Sequence, residues 1–239
     1  MGLFRALIFV ISIDIVPLRP IAYYMPAPLE TGTLLVASPD LSDDPNFNRT
    51  VVFVTHYSGE SGTMGLVLNR PLGEQIKLYS PDELQRLIDT VPNTTGTGPS
   101  ETEEQPSEEI KSSALGRMFY QGGPVHQNTL FFLHRLDDMI KGGIEIMDGL
   151  YLGGDLDTLH PEAEAAKADQ PLLRFYLGCA GWNNGQLESE IGCGAWILAP
   201  SDPNLIFAST PETIWRETLY ALGGKYRSIS VLPEDPAVN

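Results

Sequence analysis

The chain predicts an α+β fold in one domain, and three features of its pattern carry that expectation. Short β-branched and apolar runs are bounded by turn formers. Two pairs of these runs are joined by Gly-rich connections, as in antiparallel hairpins. Helical stripes are scattered among the strands without the regular strand–helix alternation of a parallel sheet. The 239 residues, 42% of them hydrophobic, are enough to bury a core of this kind.

Thr33–Ala37 and Thr50–Thr55 read as buried strands. The turn-rich segment Tyr57–Gly62 leads to a third strand, Met64–Asn69, so the second and third strands predict a hairpin. Ser80-Pro81-Asp82-Glu83 opens a helix as a capping box with Pro first, and Leu84, Leu87, Ile88 and Val91 form its apolar stripe. Arg117–Gln121 and Thr129–His134 flank Gly122-Gly123-Pro124 and predict a second hairpin. An Ala- and Glu-rich helix is expected over 160–167, then a strand over Leu172–Leu177. A short helix after Gly185 has Leu187 and Ile191 on one face and stops at Gly192. Strands are expected at Ala195–Ala199 and Leu205–Ala208. The last helix has Thr210 as cap and Pro211 first, turns Ile214, Trp215, Thr218, Leu219 and Leu222 inward, and ends at Gly223-Gly224.

Three segments stand apart from this domain, which is expected to span 29–232. Residues 1–28 form an N-terminal extension with Arg5, the apolar run Ala6–Ile11 and Asp14. The run falls short of the ~20 apolar residues a bilayer span needs. Two readings stay open: upstream translation ahead of a start at Met25, or a signal-like segment. Residues 92–113 hold five Glu and one Lys with Ile110 as the single strongly apolar residue, which predicts a flexible acidic insertion. Residues 233–239 are a C-terminal tail.

Charge narrows the partners. Fifteen Lys and Arg against 31 Asp and Glu give a net charge of −16, a sign that repels nucleic-acid backbones and anionic lipid. Only five of the cations are Lys, which suits either a high-salt cytoplasm or ordinary acidic bias. The two cysteines, Cys179 and Cys193, make neither a disulfide scaffold nor a zinc cluster and point to a reducing, cytoplasmic location. No phosphate loop, dinucleotide fingerprint, nucleophile elbow or HExxH pattern is present. The four histidines lack ligand spacing, and Glu188 and Glu190 lie two apart on a helix, facing different ways. No catalytic residue, metal site or cofactor is therefore expected. Cys179 reads as a small residue in a tight loop ahead of a nucleophile.

Several blocks in order resemble the YqgE/AlgH family of bacterial proteins. They are Thr33–Pro39, Asp44–Val52, Gly65–Pro71, Gly122-Gly123-Pro124-Val125, Leu133-His134, Gly178-Cys179-Ala180-Gly181-Trp182, Gly185–Glu188, Trp196, and Trp215 ahead of Leu222-Gly223. The resemblance runs from about Leu29 to Ile229. It implies a compact α+β domain in which a coiled, barrel-like, mostly antiparallel sheet packs with several helices. It also implies a link to transcriptional regulation, through alginate production in one lineage, without defining a biochemical step. Residues 1–24, the acidic insertion and Cys179, where an aromatic residue is common, depart from the family's pattern.

Within the matched blocks, Gly122, Gly123, Pro124, Gly178 and Gly181 form loops whose backbone N–H groups a ligand or peptide can approach. Asn69, Arg70, His134, Trp182 and Gln186 are the candidate polar and stacking groups around them. The competing reading gives the glycines to tight turns and Trp182 to the core. A non-enzymatic regulatory or binding protein, acting through protein or small-molecule contacts, is the function expected. An enzyme using a Gly-rich pocket is the alternative, and a direct DNA-binding regulator is disfavoured by charge. No membrane partner is expected.

Overall fold

The computed structural model describes residues 27–72, 119–155, 172–208 and 210–233. The helices expected over 80–91 and 160–167, the insertion at 92–113 and residues 1–24 lie outside the described residues. The nine strands are β1 (Leu34–Ala37), β2 (Val51–Ser58), β3 (Gly62–Val67), β4 (Phe119–Gln121), β5 (Val125–His134), β6 (Ile144–Met147), β7 (Leu150–Leu152), β8 (Leu173–Trp182) and β9 (Trp196–Ala199). Four α-helices accompany them among the described residues: α1 (Gln186–Gly192), α2 (Pro203–Ala208), α3 (Ile214–Leu222) and α4 (Gly224–Ser230). The fold is α+β, as expected.

One sheet runs in the order β6-β7-β5-β8-β3-β2-β1-β9, with β4 added alongside β8. Every pairing is antiparallel except β4 with β8. The barrel-like closure implied by the resemblance is not present, because the end strands β6 and β9 do not pair with one another. The two-residue alternation of side chains along a strand supplies the physical reason. Leu34 and Val36 of β1 face one buried cluster with Phe53, Trp215 and Leu219. Leu35 and Ala37 face another with Val52, Trp182 and Leu187. Helices thus cover β1 and β2 on both faces, and a sheet buried on both sides has no need to curl round a single interior.

Two further expectations are corrected. The second hairpin does not form: β4 and β5 both pair with β8 and lie on opposite sides of it. Their Gly-rich connection is a crossing over β8 in place of a hairpin turn. The run 205–208 is helical, within α2. Pro203 supplies a φ suited to a first helical turn, and the Ile206 N–H donates to the Asp202 carbonyl at 3.1 Å. Ile206 and Phe207 are buried against the α3 cluster, and a short apolar run carries no period that separates strand from helix.

The last long helix matches in its inward face and its end, while its start is corrected: Thr213, not Thr210, holds the cap position, and Pro211 lies in the preceding turn. Ile214, Trp215, Thr218, Leu219 and Leu222 are its buried residues, and Gly223 closes it at φ +70°. It begins at Ile214, after a turn in which the Thr213 N–H donates to Thr210 at 3.1 Å. The Trp215 indole N–H donates to the Ala37 carbonyl at 2.9 Å and pins the helix across β1. Strands β6 and β7 and helix α4 are found in addition to the expected elements.

Candidate functional site

The β2–β3 hairpin brings two Asn-Arg pairs together. Asn48-Arg49 leads into β2 and Asn69-Arg70 leaves β3, and with the first turn of α3 they line a cleft of ≈ 300 Å³. Its other walls are Pro71, Pro211, Glu212, Trp215 and Arg216. Asn69 is buried and organises this corner. Its Oδ1 accepts from the Val51 N–H at 3.0 Å, and its Nδ2 donates to the Arg49 carbonyl at 2.8 Å. Arg49, whose carbonyl takes the second of these contacts, holds φ +52°, a left-handed conformation that a non-glycine residue holds only where its surroundings impose it.

The guanidinium of Arg49 stacks 4.5 Å above the Trp215 ring and donates to the carbonyls of Leu232, at 2.7 Å, and Pro233. Arg70 is half-buried and donates to the Asn48 carbonyl. Burial pulls its pKa below the ordinary arginine value, the mark of a cation partly stripped of water. No carboxylate among the described residues pairs with it. Arg216 is exposed on α3. Among the described residues, three arginines and one acidic residue, Glu212, therefore line one cleft of a chain whose net charge is −16.

The other candidates lie elsewhere. Gly122, Gly123 and Pro124 carry the chain across β8 at Gly178. A Cβ on Gly122 would stand 2.1 Å from the Gly178 oxygen, and one on Gly123 would stand 2.3 Å from the Ala180 nitrogen. Backbone packs directly on backbone here. The Gly122 N–H donates to Leu177 at 2.7 Å, and its carbonyl accepts from Val67 at 2.8 Å. The loop expected at Gly178 and Gly181 is corrected: both lie within β8, where Gly181 is exposed.

Trp182 and Gln186 belong to a clamp built around Glu190 of α1. One Glu190 oxygen accepts from the indoles of Trp182 at 2.9 Å and Trp196 at 2.8 Å, and the other accepts from Gln186 Nε2 at 2.9 Å. Phe47 completes an aromatic cluster with both tryptophans, its ring centroid 6.2 Å from Trp182 and 5.3 Å from Trp196.

His134 is fully buried on β5. Nε2 meets the Gly153 carbonyl at 2.9 Å and Nδ1 accepts from the Leu136 N–H at 3.1 Å, so these partners select the neutral ring protonated at Nε2. Burial lowers its pKa, against opposing contributions from Gly153 and Asp137. The structure thus gathers only Asn69 and Arg70, of the ten sequence candidates, into the cleft.

Sequence reasoning missed Asn48, Arg49, Glu212 and Arg216 as members, and it placed Trp215 only as a core residue. The repeated Asn-Arg dipeptide at the two ends of one predicted hairpin was the available signal. On β8, Arg174 is buried, donates to the Phe207 carbonyl at 3.1 Å and lies over the Tyr120 ring at 5.0 Å. Burial raises the Cys179 thiol pKa, which opposes thiolate formation, and Cys193 is exposed. Among the described residues no group of three or more His, Cys, Asp or Glu could hold a metal ion. No helix among them is long and apolar enough to cross a membrane.

Comparison with known proteins agrees with this fold. The solution structure of the AlgH protein from Pseudomonas aeruginosa is 26% identical, with a TM-score of 0.56 over 88% of this chain and 98% of that one. An X-ray structure of a Corynebacterium diphtheriae protein gives a TM-score of 0.55 at 21% identity over 87% of this chain and 95% of that one, a similarity of fold alone. Curated relatives named UPF0301 protein include one from Chlorobium luteolum, 33% identical over 88% of this chain and 95% of its own length. Another, from Chlamydia trachomatis, is 35% identical over 88% of this chain and 96% of its own. The AlgH-like family profile matches residues 34–227, a span that begins at β1, ends in α4 and includes every wall of the cleft. By fold, by relatives and by profile, the chain belongs to the AlgH-like family.

Proposed function

We propose that this protein is a non-enzymatic regulatory binding protein that takes a small-molecule or protein ligand in the Arg49–Arg70–Arg216 cleft and influences transcription indirectly. One observation carries the reading: three arginines converge on one concave site in a strongly acidic chain. A charged side chain is held half-buried at Arg70 without a carboxylate partner among the described residues. An arrangement of this kind favours an anionic ligand, since a desolvated guanidinium gains most from an oxyanion, carboxylate or phosphate, that can accept from its fork.

Among the described residues the lining offers arginine, asparagine, proline, tryptophan and one glutamate, a set suited to holding an anion by charge and hydrogen bonding. This supports binding over turnover. The enzyme alternative rested on the glycine loops, where backbone-on-backbone packing at Gly122, Gly123 and Gly178 leaves little space for a substrate. A cytoplasmic location belongs to the same proposal and rests on a sequence with only two cysteines, too few for a disulfide scaffold. A metabolite screen by thermal shift tests the function. Ligands should raise the melting temperature of the parent chain and lose that effect in Arg70→Ala, whereas turnover of a stabilising ligand would move the protein to the enzyme class.

A further inference from the structure

The chemistry of the cleft narrows its ligand, on the reading that the cleft is the binding site. Size comes first. At ≈ 300 Å³ the cleft lies at the lower limit of small-molecule pockets, which run from about 300 to 1,000 Å³, and suits a compact group over a dinucleotide or a polymer.

Aromatic recognition is closed off. Trp215, the one aromatic residue of the lining, is 4% exposed and already carries the Arg49 guanidinium on its ring at 4.5 Å, leaving no open face on which a base could stack. Asn69 spends its amide oxygen and one amide hydrogen on the backbone, so its capacity to read a neutral ligand is small.

Charge is what remains. Among the described lining residues, Arg70 and Arg216 stand with one carboxylate, Glu212, and Arg49 is held on Trp215, a set that suits an anion carrying more than one negative charge on a single centre. Arg70 follows β3 and Arg216 lies in the first turn of α3, so the two arginines belong to different walls of the cleft. A tetrahedral oxyanion presents oxygens in several directions and can accept from both at once, while a single planar carboxylate matches one fork. The first turn of a nine-residue helix adds the positive end of its dipole to the same wall.

We infer that the cleft binds a dianionic phosphate group, either inorganic phosphate or the phosphate monoester of a small metabolite, held by Arg70 and Arg216 with Arg49 fixed on Trp215 as a third cation. Phosphate carries about −1.5 to −2 at neutral pH, which answers this excess of guanidinium groups.

The full-length chain, in phosphate-free buffer at constant ionic strength, is titrated calorimetrically with inorganic phosphate, glycerol phosphate and succinate. Phosphate or glycerol phosphate should bind, with affinity reduced at least tenfold in Arg70→Ala and in Arg216→Ala, and succinate should bind at least tenfold more weakly. Arg216 is exposed, so its variant keeps the fold and isolates the charge from stability. Preference for glycerol phosphate over inorganic phosphate assigns a monoester, and the reverse assigns the free ion. Equal binding of succinate overturns the phosphate assignment. So does phosphate binding that ignores both substitutions. If no phosphate binds while other ligands still stabilise the parent and not Arg70→Ala, this inference falls and the proposed function stands. If neither effect occurs, both fall.

Discussion

A Cβ on Gly178 would stand 2.7 Å from the carbonyl oxygen of Gly123 and 2.8 Å from that of Val125, and the residue holds φ at +72°. Backbone atoms cannot swing aside as a side chain can, so Gly178→Ala should destabilise by more than about 2 kcal/mol in urea unfolding. Gly181, three residues on, would place its Cβ 3.7 Å from Val125 Cγ2, an ordinary contact, and Gly181→Ala should cost less than about 1 kcal/mol. Equal losses at the two positions would contradict the crossing. His134 sets a pH dependence. Its folded pKa is lowered, so unfolding takes up a proton in the window between that lowered value and the ordinary imidazole value of about 6.5. Stability from the neutral ring is whole above that pH and declines as the pH falls below it, toward the lowered folded value. His134→Gln should therefore show a shallower loss between about pH 6.5 and 5 than the parent chain, measured by urea midpoints at each pH.

At the scale of the element, α1 is seven residues long and has no side-chain cap at Gly185, so its own hydrogen bonds give it little independent stability. What holds it is Leu187, buried in the cluster of β1 and β2, and the Glu190 carboxylate shared between two indoles. Glu190→Gln keeps the shape, loses the charge and places an amide NH₂ where one acceptor stood. A loss of about 1.5–3 kcal/mol is expected, since hydrogen bonds to charged groups contribute on that order. Tryptophan fluorescence should change with it, because Trp182 and Trp196 share the same carboxylate oxygen. An unaltered spectrum and midpoint would remove the clamp from the account. The helix was legible beforehand from Gly185, Leu187, Ile191 and Gly192. Its partner was not, because Trp196 lies in a different strand and only the folded sheet brings the two indoles within 5.8 Å.

Across the whole molecule, the net charge of −16 and the small size of the arginine cleft make separate statements about polyanions. A duplex must contact an extended surface, and its binding draws on counterion release along many phosphates. Three cations in ≈ 300 Å³ can hold one oxyanion without providing such a surface. No retardation of duplex DNA is therefore expected at moderate salt, even for a chain that binds small phosphates. A salt-sensitive shift would return the DNA-binding reading to first place.

Local chemistry was enough for some of this molecule. The β-branched runs at β1, β2 and β3, the turn over residues 59–61 and the inward stripe of α3 follow from propensities and periods within about ten residues of chain. Asn69 and Arg70 were recognised as candidate groups within the blocks that carry the family resemblance. Only tertiary structure decided the rest. It turned 205–208 into helix, because burial of Ile206 and Phe207 under α3 outweighs a run too short to have a period. It sent the Gly122-Gly123 link over β8, because the residues that demand glycine there, Gly178 to Ala180, lie more than fifty positions away. It left the sheet open, because apolar side chains on both faces of β1 and β2 each found a cover. And it joined Arg49, Arg70 and Arg216 in one cleft, since charge converges through strand pairing and helix docking, which no single stretch of sequence contains.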